Sequence, residues 1–67
     1  MPLPKGTRLL RVHIKARGIS LREAARQLQE APSRVHDWLN GTYPRDAARA
    51  AIELWSGGDV PASVWER

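Results

Sequence analysis

Ser33, His36 and Asp37 are three residue types found in hydrolase active sites, and they lie close together in the chain. A serine nucleophile, a histidine base and an orienting carboxylate work when separate elements place them beside an oxyanion hole. Here one turn of one predicted helix carries all three, with no second element to donate to an oxyanion. His13 is distant in sequence, cysteine is absent, and no metal-ligand spacing occurs. The sequence therefore predicts a non-enzymatic protein without a metal site or cofactor.

The helix that carries these residues belongs to a pair predicted within residues 20–41. Ser20 is a suitable N-cap, and Glu23 completes an S-x-x-E capping box. Pro32 suits the first turn of the second helix, and Gly41 can end it in the left-handed conformation. The inward face of the first helix is predicted to comprise Leu21, Ala24, Ala25 and Leu28. The inward face of the second comprises Val35, Trp38 and Leu39.

A further helix is predicted before this pair, over residues 7–17. Thr7 is its expected cap and Gly18 its stop, and an extended arm at residues 1–6 precedes it. It carries two apolar stripes. One contains Leu10, His13 and Ile14, in which His13 is expected to be an aromatic core filler, and the second contains Leu9, Val12 and Ala16.

A fourth helix is predicted to begin at Pro44 and to end at the Gly57–Gly58 pair. A short fifth turn follows within residues 60–65. Val64 and Trp65 in this turn either close the core or form a dimer contact, and the sequence does not decide between the two. The inward face of the fourth helix is predicted to contain Ala48, Ala51, Ile52 and Trp55.

The length of 67 residues and the charge balance limit the possibilities further. A chain this short forms one domain with a modest core. No apolar run is long enough to span a bilayer, and the charged N-terminal segment does not resemble a signal peptide, so a cytoplasmic location is expected. The formal net charge is +4, and six basic residues precede the first acid, Glu23. This distribution favours an anionic partner, of which nucleic acid is the first candidate.

The helix pair resembles the helix-turn-helix of Cro- and repressor-type DNA-binding domains of the lambda-repressor-like family. The residues that carry the resemblance are Ser20, Ala25, Val35 and the Trp38-Leu39-Asn40-Gly41 sequence, with Leu10, Ile14 and Gly18-Ile19-Ser20 upstream. Residues 52–65 are similar to the tail of small phage Cro and YdaS-like regulators. The resemblance implies an all-α bundle of four to five short helices, with the helix-turn-helix domain spanning residues 7–67. It also places the stripe of Leu10, His13 and Ile14 in the core, so that the C-terminal tail or a partner must cover the second stripe.

Three residues depart from the family pattern at the turn between the two helices. Gln29 and Glu30 stand where the family has glycine and an apolar residue, and Ala31 replaces the usual Ser or Thr cap. A non-glycine residue in the left-handed conformation costs about 1 kcal/mol, and loss of a cap costs about 1 kcal/mol. We therefore expect a reshaped turn.

The resemblance implies that the second helix of the pair reads the major groove with its outward residues. The expected base-reading residues are Ser33, Arg34, His36 and Asp37. Arg34 is the strongest candidate, since its guanidinium can donate to both O6 and N7 of guanine. Asp37 either accepts from cytosine N4 or orients Arg34, and the orienting role is preferred.

Phosphate contacts are expected on both sides of this helix. Ser20 and Arg22 lie at the start of the preceding helix, whose free N–H groups favour an anion. The expected phosphate-contacting residues beyond the second helix are Asn40, Thr42, Tyr43 and Arg45. Each could instead be an ordinary exposed loop residue.

These inferences predict a sequence-specific DNA-binding regulator that represses by occupying an operator. One short helix reads few base pairs, so a homodimer on an inverted-repeat operator is expected, formed in solution or only on DNA. Leu9, Val12, Val64 and Trp65 are the apolar residues expected at its interface. The alternative is a protein-interaction or antitoxin-like module that holds a partner through Leu9, Val12 and Trp65.

Overall fold

A computed structural model describes residues 3–65, which fold into four α-helices and a short 3-10 helix. The elements in chain order are α1 (Lys5–Arg17), α2 (Leu21–Leu28), α3 (Pro32–Leu39), α4 (Asp46–Trp55) and the 3-10 helix (Ala62–Trp65). The predicted all-α fold of four to five short helices is confirmed. Within residues 3–65 no helix combines the length and apolar character needed to cross a bilayer.

The first helix begins earlier than the sequence analysis predicted. Pro4 is its N-cap residue, and Lys5 and Gly6, which were assigned to an extended arm, form its first turn. Thr7 is therefore not a cap. Its side chain is buried, and its hydroxyl donates to the Trp38 carbonyl at 2.7 Å. Met1 and Pro2, which begin the predicted arm, lie outside the described residues.

Local chemistry determines where α2 begins. The Ser20 hydroxyl accepts from the Glu23 amide at 3.1 Å, which confirms the N-cap. The reciprocal half of the predicted capping box is not formed, because the Glu23 carboxylate binds the side chains of Arg26 and Gln27 instead.

The turn between α2 and α3 is built around Gln29. This residue adopts φ 58° and ψ 41°, and it is the only non-glycine residue with positive φ among those described. Its amide donates to Arg26 O at 3.2 Å, while the Glu30 amide donates to Ala25 O at 2.9 Å. These two bonds form a Schellman helix end, in which glycine normally holds the left-handed position. The expected reshaping is therefore not observed at Gln29, which adopts the strained conformation itself.

The third helix begins and ends as expected. Ala31 is its N-cap residue and provides no side-chain hydrogen bond, and Pro32 occupies the first turn. Beyond Leu39 the chain turns through Gly41, whose φ of 105° suits a residue without a Cβ atom. The fourth helix begins two residues later than predicted, at Asp46, with Arg45 as its N-cap residue.

The core lies where the four helices and the 3-10 helix meet. Its buried apolar residues are Leu10, Ile14, Ala24, Ala25, Leu28, Val35, Trp38, Ile52, Val60 and Trp65. The predicted inward faces are largely confirmed, but Ala51 is exposed. The face of α4 toward the core is narrower than predicted, with Ile52 as its only fully buried residue.

The 3-10 helix closes the core through Trp65. Trp65 is fully buried, and its indole ring lies directly against Gly6 of α1. Val64 and Leu9, a member of the second stripe of α1, are half-buried and pack against the core. Val12, another member of that stripe, remains 64% exposed.

His13 is the aromatic core filler that the sequence predicted. It is buried, and its ring packs edge-on against Trp55 with 4.9 Å between centroids. Its Nδ1 atom lies 3.1 Å from the Asp59 carboxylate. The Arg17 guanidinium stacks on the Trp55 ring, 4.6 Å from its centroid, and donates to the Trp55 carbonyl at 2.8 Å. This cluster joins α1 to the end of α4.

Candidate nucleic-acid interface

One face of α3 carries polar side chains into solvent. Because Val35 and Trp38 turn toward the core, the opposite side of the helix presents the four predicted base-reading residues. All four are exposed: Ser33, Arg34, His36 and Asp37. The face lacks large apolar side chains, so it suits polar contacts to a hydrated partner.

A cleft of about 270 Å³ lies between α3 and the loop that follows it. Arg34, Asp37 and Trp38 contribute its α3 wall, and the loop contributes the remaining lining residues, Thr42, Tyr43, Pro44 and Arg45. Two predicted base-reading residues and three predicted phosphate-contacting residues therefore line the same cleft. The side chains of Arg34, Arg45 and Thr42 bring N–H and O–H donors for an anion to this cleft, and the Asp37 carboxylate adds an acceptor and a negative charge beside them.

The conformation of Arg34 is linked to the turn before α3. Its Nε atom lies 3.5 Å from a carboxylate oxygen of Glu30. The preferred sequence interpretation, in which Asp37 orients Arg34, is therefore wrong for the conformation described. Both acids lie at helical spacing from Arg34, but Glu30 in the turn is the one that reaches the guanidinium. Asp37 lines the cleft and does not form an ion pair with Arg34.

His36 and Asn40 form a second polar group, at the C-terminal end of α3. The Asn40 side-chain amide donates to the His36 carbonyl at 2.8 Å and lies 3.2 Å from the His36 ring. Asn40 therefore satisfies one of the carbonyls that the end of a helix leaves without a partner. Asn40 is exposed and lies outside the cleft lining.

The beginning of α2 carries the other two predicted phosphate contacts. Ser20 and Arg22 are both exposed. The Glu23 carboxylate beside them accepts hydrogen bonds from Arg26 and Gln27, and these bonds lower its pKa to about 2. Glu23 is therefore ionised at neutral pH, and its negative charge lies in the first turn, next to Arg26.

Several basic side chains are already occupied by contacts within the protein. Arg11 and Arg17 bind main-chain carbonyls, Arg26 binds Glu23, and Arg49 donates to the Pro44 carbonyl. Other basic residues make no side-chain hydrogen bond or ion pair with the described part of the chain, namely Lys5, Arg8, Lys15, Arg22 and Arg45. Of these, Arg22 and Arg45 belong to the predicted interface.

The sequence analysis did not identify two residues of α1 that donate hydrogen bonds to the C-terminal end of α3. Thr7 of α1 donates to the Trp38 carbonyl, and Arg11 donates to the Leu39 carbonyl from two nitrogen atoms. No local pattern indicates these contacts, because the partners lie in another helix. The one available signal was the spacing of Thr7 and Arg11, which places both on one side of α1.

Comparison of the chain with protein-family models, with curated proteins and with solved structures finds no match.

Proposed function

We propose that this chain is a sequence-specific DNA-binding regulator that reads the major groove with α3 and represses transcription in the cytoplasm by occupying an operator. The observation that carries the proposal is the cleft beside α3. Two predicted base-reading residues, Arg34 and Asp37, line it together with three predicted phosphate-contacting residues, Thr42, Tyr43 and Arg45. A DNA interface needs this proximity, because base edges and backbone phosphates lie side by side along a groove.

The exposed face of α3 supplies the proposed base contacts. Arg34 can donate two parallel hydrogen bonds to guanine, and its ion pair with Glu30 would restrict the guanidinium before DNA arrives. Asp37 is free of an orienting role toward Arg34 in this conformation, so acceptance from cytosine N4 becomes its proposed role. Ser33 and His36 complete the face.

Phosphate contacts would come from both sides of α3. Arg45 and Thr42 lie in the loop after α3, and Arg22 and Ser20 lie at the start of α2, where main-chain amides and the helix dipole favour an anion. The net charge of +4 would bring the protein to DNA in a salt-dependent manner.

The test begins with selection of bound sequences from a random DNA pool, followed by affinity measurements on the selected site and on random DNA. Arg34→Ala should weaken the selected site by about 1–3 kcal/mol and relax the preference at one or two base pairs. Arg45→Ala and Arg22→Ala should weaken binding to both DNAs and reduce the salt slope. Arg8→Ala is the charge-matched control, since Arg8 is exposed on α1 outside the cleft.

Two results would contradict the proposal. If the selection returns no preferred sequence, specific DNA recognition is wrong. If Arg34→Ala weakens the selected and the random DNA equally, Arg34 contacts phosphate instead of a base.

The proposal includes binding as a two-fold homodimer, because one short helix reads too few base pairs to specify an operator. Two recognition helices about 34 Å apart would read an inverted repeat with half-sites about 10 base pairs apart. The interface expected from the sequence needs revision, since Trp65 is buried within its own chain. Within residues 3–65 the exposed large apolar side chains are Leu3, Val12 and Leu54, of which Val12 and Leu54 are the most exposed at 64% and 83%. One protein per site on a non-palindromic sequence would exclude the dimer.

The exposure of Val12 and Leu54 also supports the second candidate, a protein-interaction or antitoxin-like module on the same fold. The Trp65 contact that this alternative also invoked is not available. Salt separates the two functions: DNA affinity should fall steeply as salt rises, whereas an apolar protein interface should be nearly insensitive.

A further inference from the structure

The C-terminal end of α3 is held by two side chains of α1. The buried Thr7 hydroxyl donates to the Trp38 carbonyl at 2.7 Å. One helical turn further along α1, the Arg11 guanidinium donates to the Leu39 carbonyl through Nε at 3.0 Å and through Nη2 at 2.7 Å.

The carbonyls that these side chains bind are among those that a helix leaves without internal partners in its last turn. Main-chain amides of the following turn satisfy part of this need, since the Gly41 amide donates to Trp38 O and the Thr42 amide to Asp37 O. The Leu39 carbonyl receives its bonds from Arg11. A cation at this position also interacts favourably with the negative end of the helix dipole.

The other end of α3 is held differently. Ala31 provides no side-chain cap, and Arg34 pairs with Glu30, which belongs to the turn after α2. The contact at the N-terminal end of α3 is therefore local, whereas its C-terminal end receives hydrogen bonds from another helix, α1. The buried Val35 and Trp38 hold one face of α3 against the core, and the bonds from Thr7 and Arg11 add a polar constraint at its C-terminal end.

We propose that Thr7 and Arg11 are positioning residues that set the orientation of α3 and, through it, the sequence preference of the protein. The second half of this inference rests on the proposed function. Neither residue needs to contact a base, because a change in the direction of α3 moves every base-reading side chain at once.

An alternative role for Arg11 is direct contact with phosphate, since its side chain is exposed. The two roles predict different results. A phosphate contact supports all DNA equally and contributes to the salt slope. A positioning residue supports the preferred sequence selectively and leaves the salt slope unchanged.

The first experiment needs no DNA. Residual dipolar couplings of main-chain amides are measured for the wild type, for Arg11→Met and for Thr7→Val, with Arg8→Met as the matched control. We expect the couplings of α3 to change together in Arg11→Met and Thr7→Val while those of α2 and α4 still fit the original frame. Arg11→Lys, which keeps a cationic donor group at this position, should restore part of the wild-type pattern of couplings. Unchanged α3 couplings in Arg11→Met, the milder variant, would overturn the inference.

The second experiment measures affinity for the selected site and for random DNA at a temperature where each variant is folded. Arg11→Met should weaken the selected site about tenfold, the loss expected if a redirected α3 fails to make one base contact. On random DNA it should match Arg8→Met. Equal losses on both DNAs with a reduced salt slope would assign Arg11 to phosphate contact. If the wild type binds no DNA, the proposed function fails, and the couplings alone decide whether Thr7 and Arg11 orient α3.

Discussion

Replacement of Gly6 by alanine tests the packing of the C-terminal tail on α1. A Cβ atom at Gly6 would lie within 2.6 Å of three carbons of the Trp65 indole ring. Carbon atoms in ordinary contact are about 3.5–4.0 Å apart, so the ring or the helix must move by about 1 Å. Trp65 is fully buried, so its ring does not lie next to solvent. Such overpacking costs about 1–3 kcal/mol, whereas alanine in place of glycine would otherwise gain up to about 1 kcal/mol in a helix.

The expected net effect of Gly6→Ala is a loss of about 1–2 kcal/mol, since the steric cost exceeds the gain in helix propensity. In a domain of this size that lowers Tm by about 4–16 °C, which thermal unfolding followed by circular dichroism at 222 nm would detect. The matched control introduces Gly6→Ala into a Trp65→Leu background. The smaller side chain removes the conflict, so alanine should then be neutral or stabilising. A higher Tm for Gly6→Ala in both backgrounds would show that the indole does not pack on Gly6.

Three further substitutions test other features. Gln29→Gly should raise stability by about 0.5–1 kcal/mol, because glycine adopts the left-handed conformation at φ 58° without strain; an unchanged or lower Tm would contradict that conformation. Trp38→Ala should destabilise the domain by about 3–5 kcal/mol, because Trp38 is 3% exposed; a cooperative melting curve close to that of the wild type would refute its inward placement. The lowered pKa of Glu23, about 2 instead of 4.5, means that its contribution to stability is present above pH 4.5 and is lost as the pH falls toward 2. Glu23→Gln should therefore flatten the acid dependence of Tm in this window, and an unchanged slope would argue against the contact with Arg26.

Features encoded by neighbouring residues could be predicted from the sequence. Ser20 caps α2, Pro32 begins α3, and Gly18 ends α1, because each of these positions depends on backbone groups within one helical turn. The inward placement of Val35 and Trp38 followed from helical spacing alone. The residues that line the cleft could also be predicted, because α3 and the loop that follows it are adjacent in the chain.

Features that depend on distant partners could not be predicted. Thr7 has the residue type and position of a cap, but its hydroxyl donates to a carbonyl of α3. Ala51 lies at the right spacing for the core but is exposed. How much of α4 is buried depends on the helices packed against it, and only Ile52 is fully buried. Two acids lie at helical spacing from Arg34, and only the conformation of the turn decides that Glu30 is the partner.

The contact between Gly6 and Trp65 also affects how the molecule folds. α2 and α3 are neighbours in sequence, so their pairing closes only a short loop. The contact between Gly6 and Trp65 closes a loop of almost the whole described chain. Because closing a long loop costs more conformational entropy, we expect this contact to form late in folding. Interactions that form after the transition state govern the unfolding rate and leave the folding rate nearly unchanged. We therefore expect weakening of the contact between α1 and the 3-10 helix to shorten the lifetime of the native state, and the domain to open there while α2 and α3 remain paired.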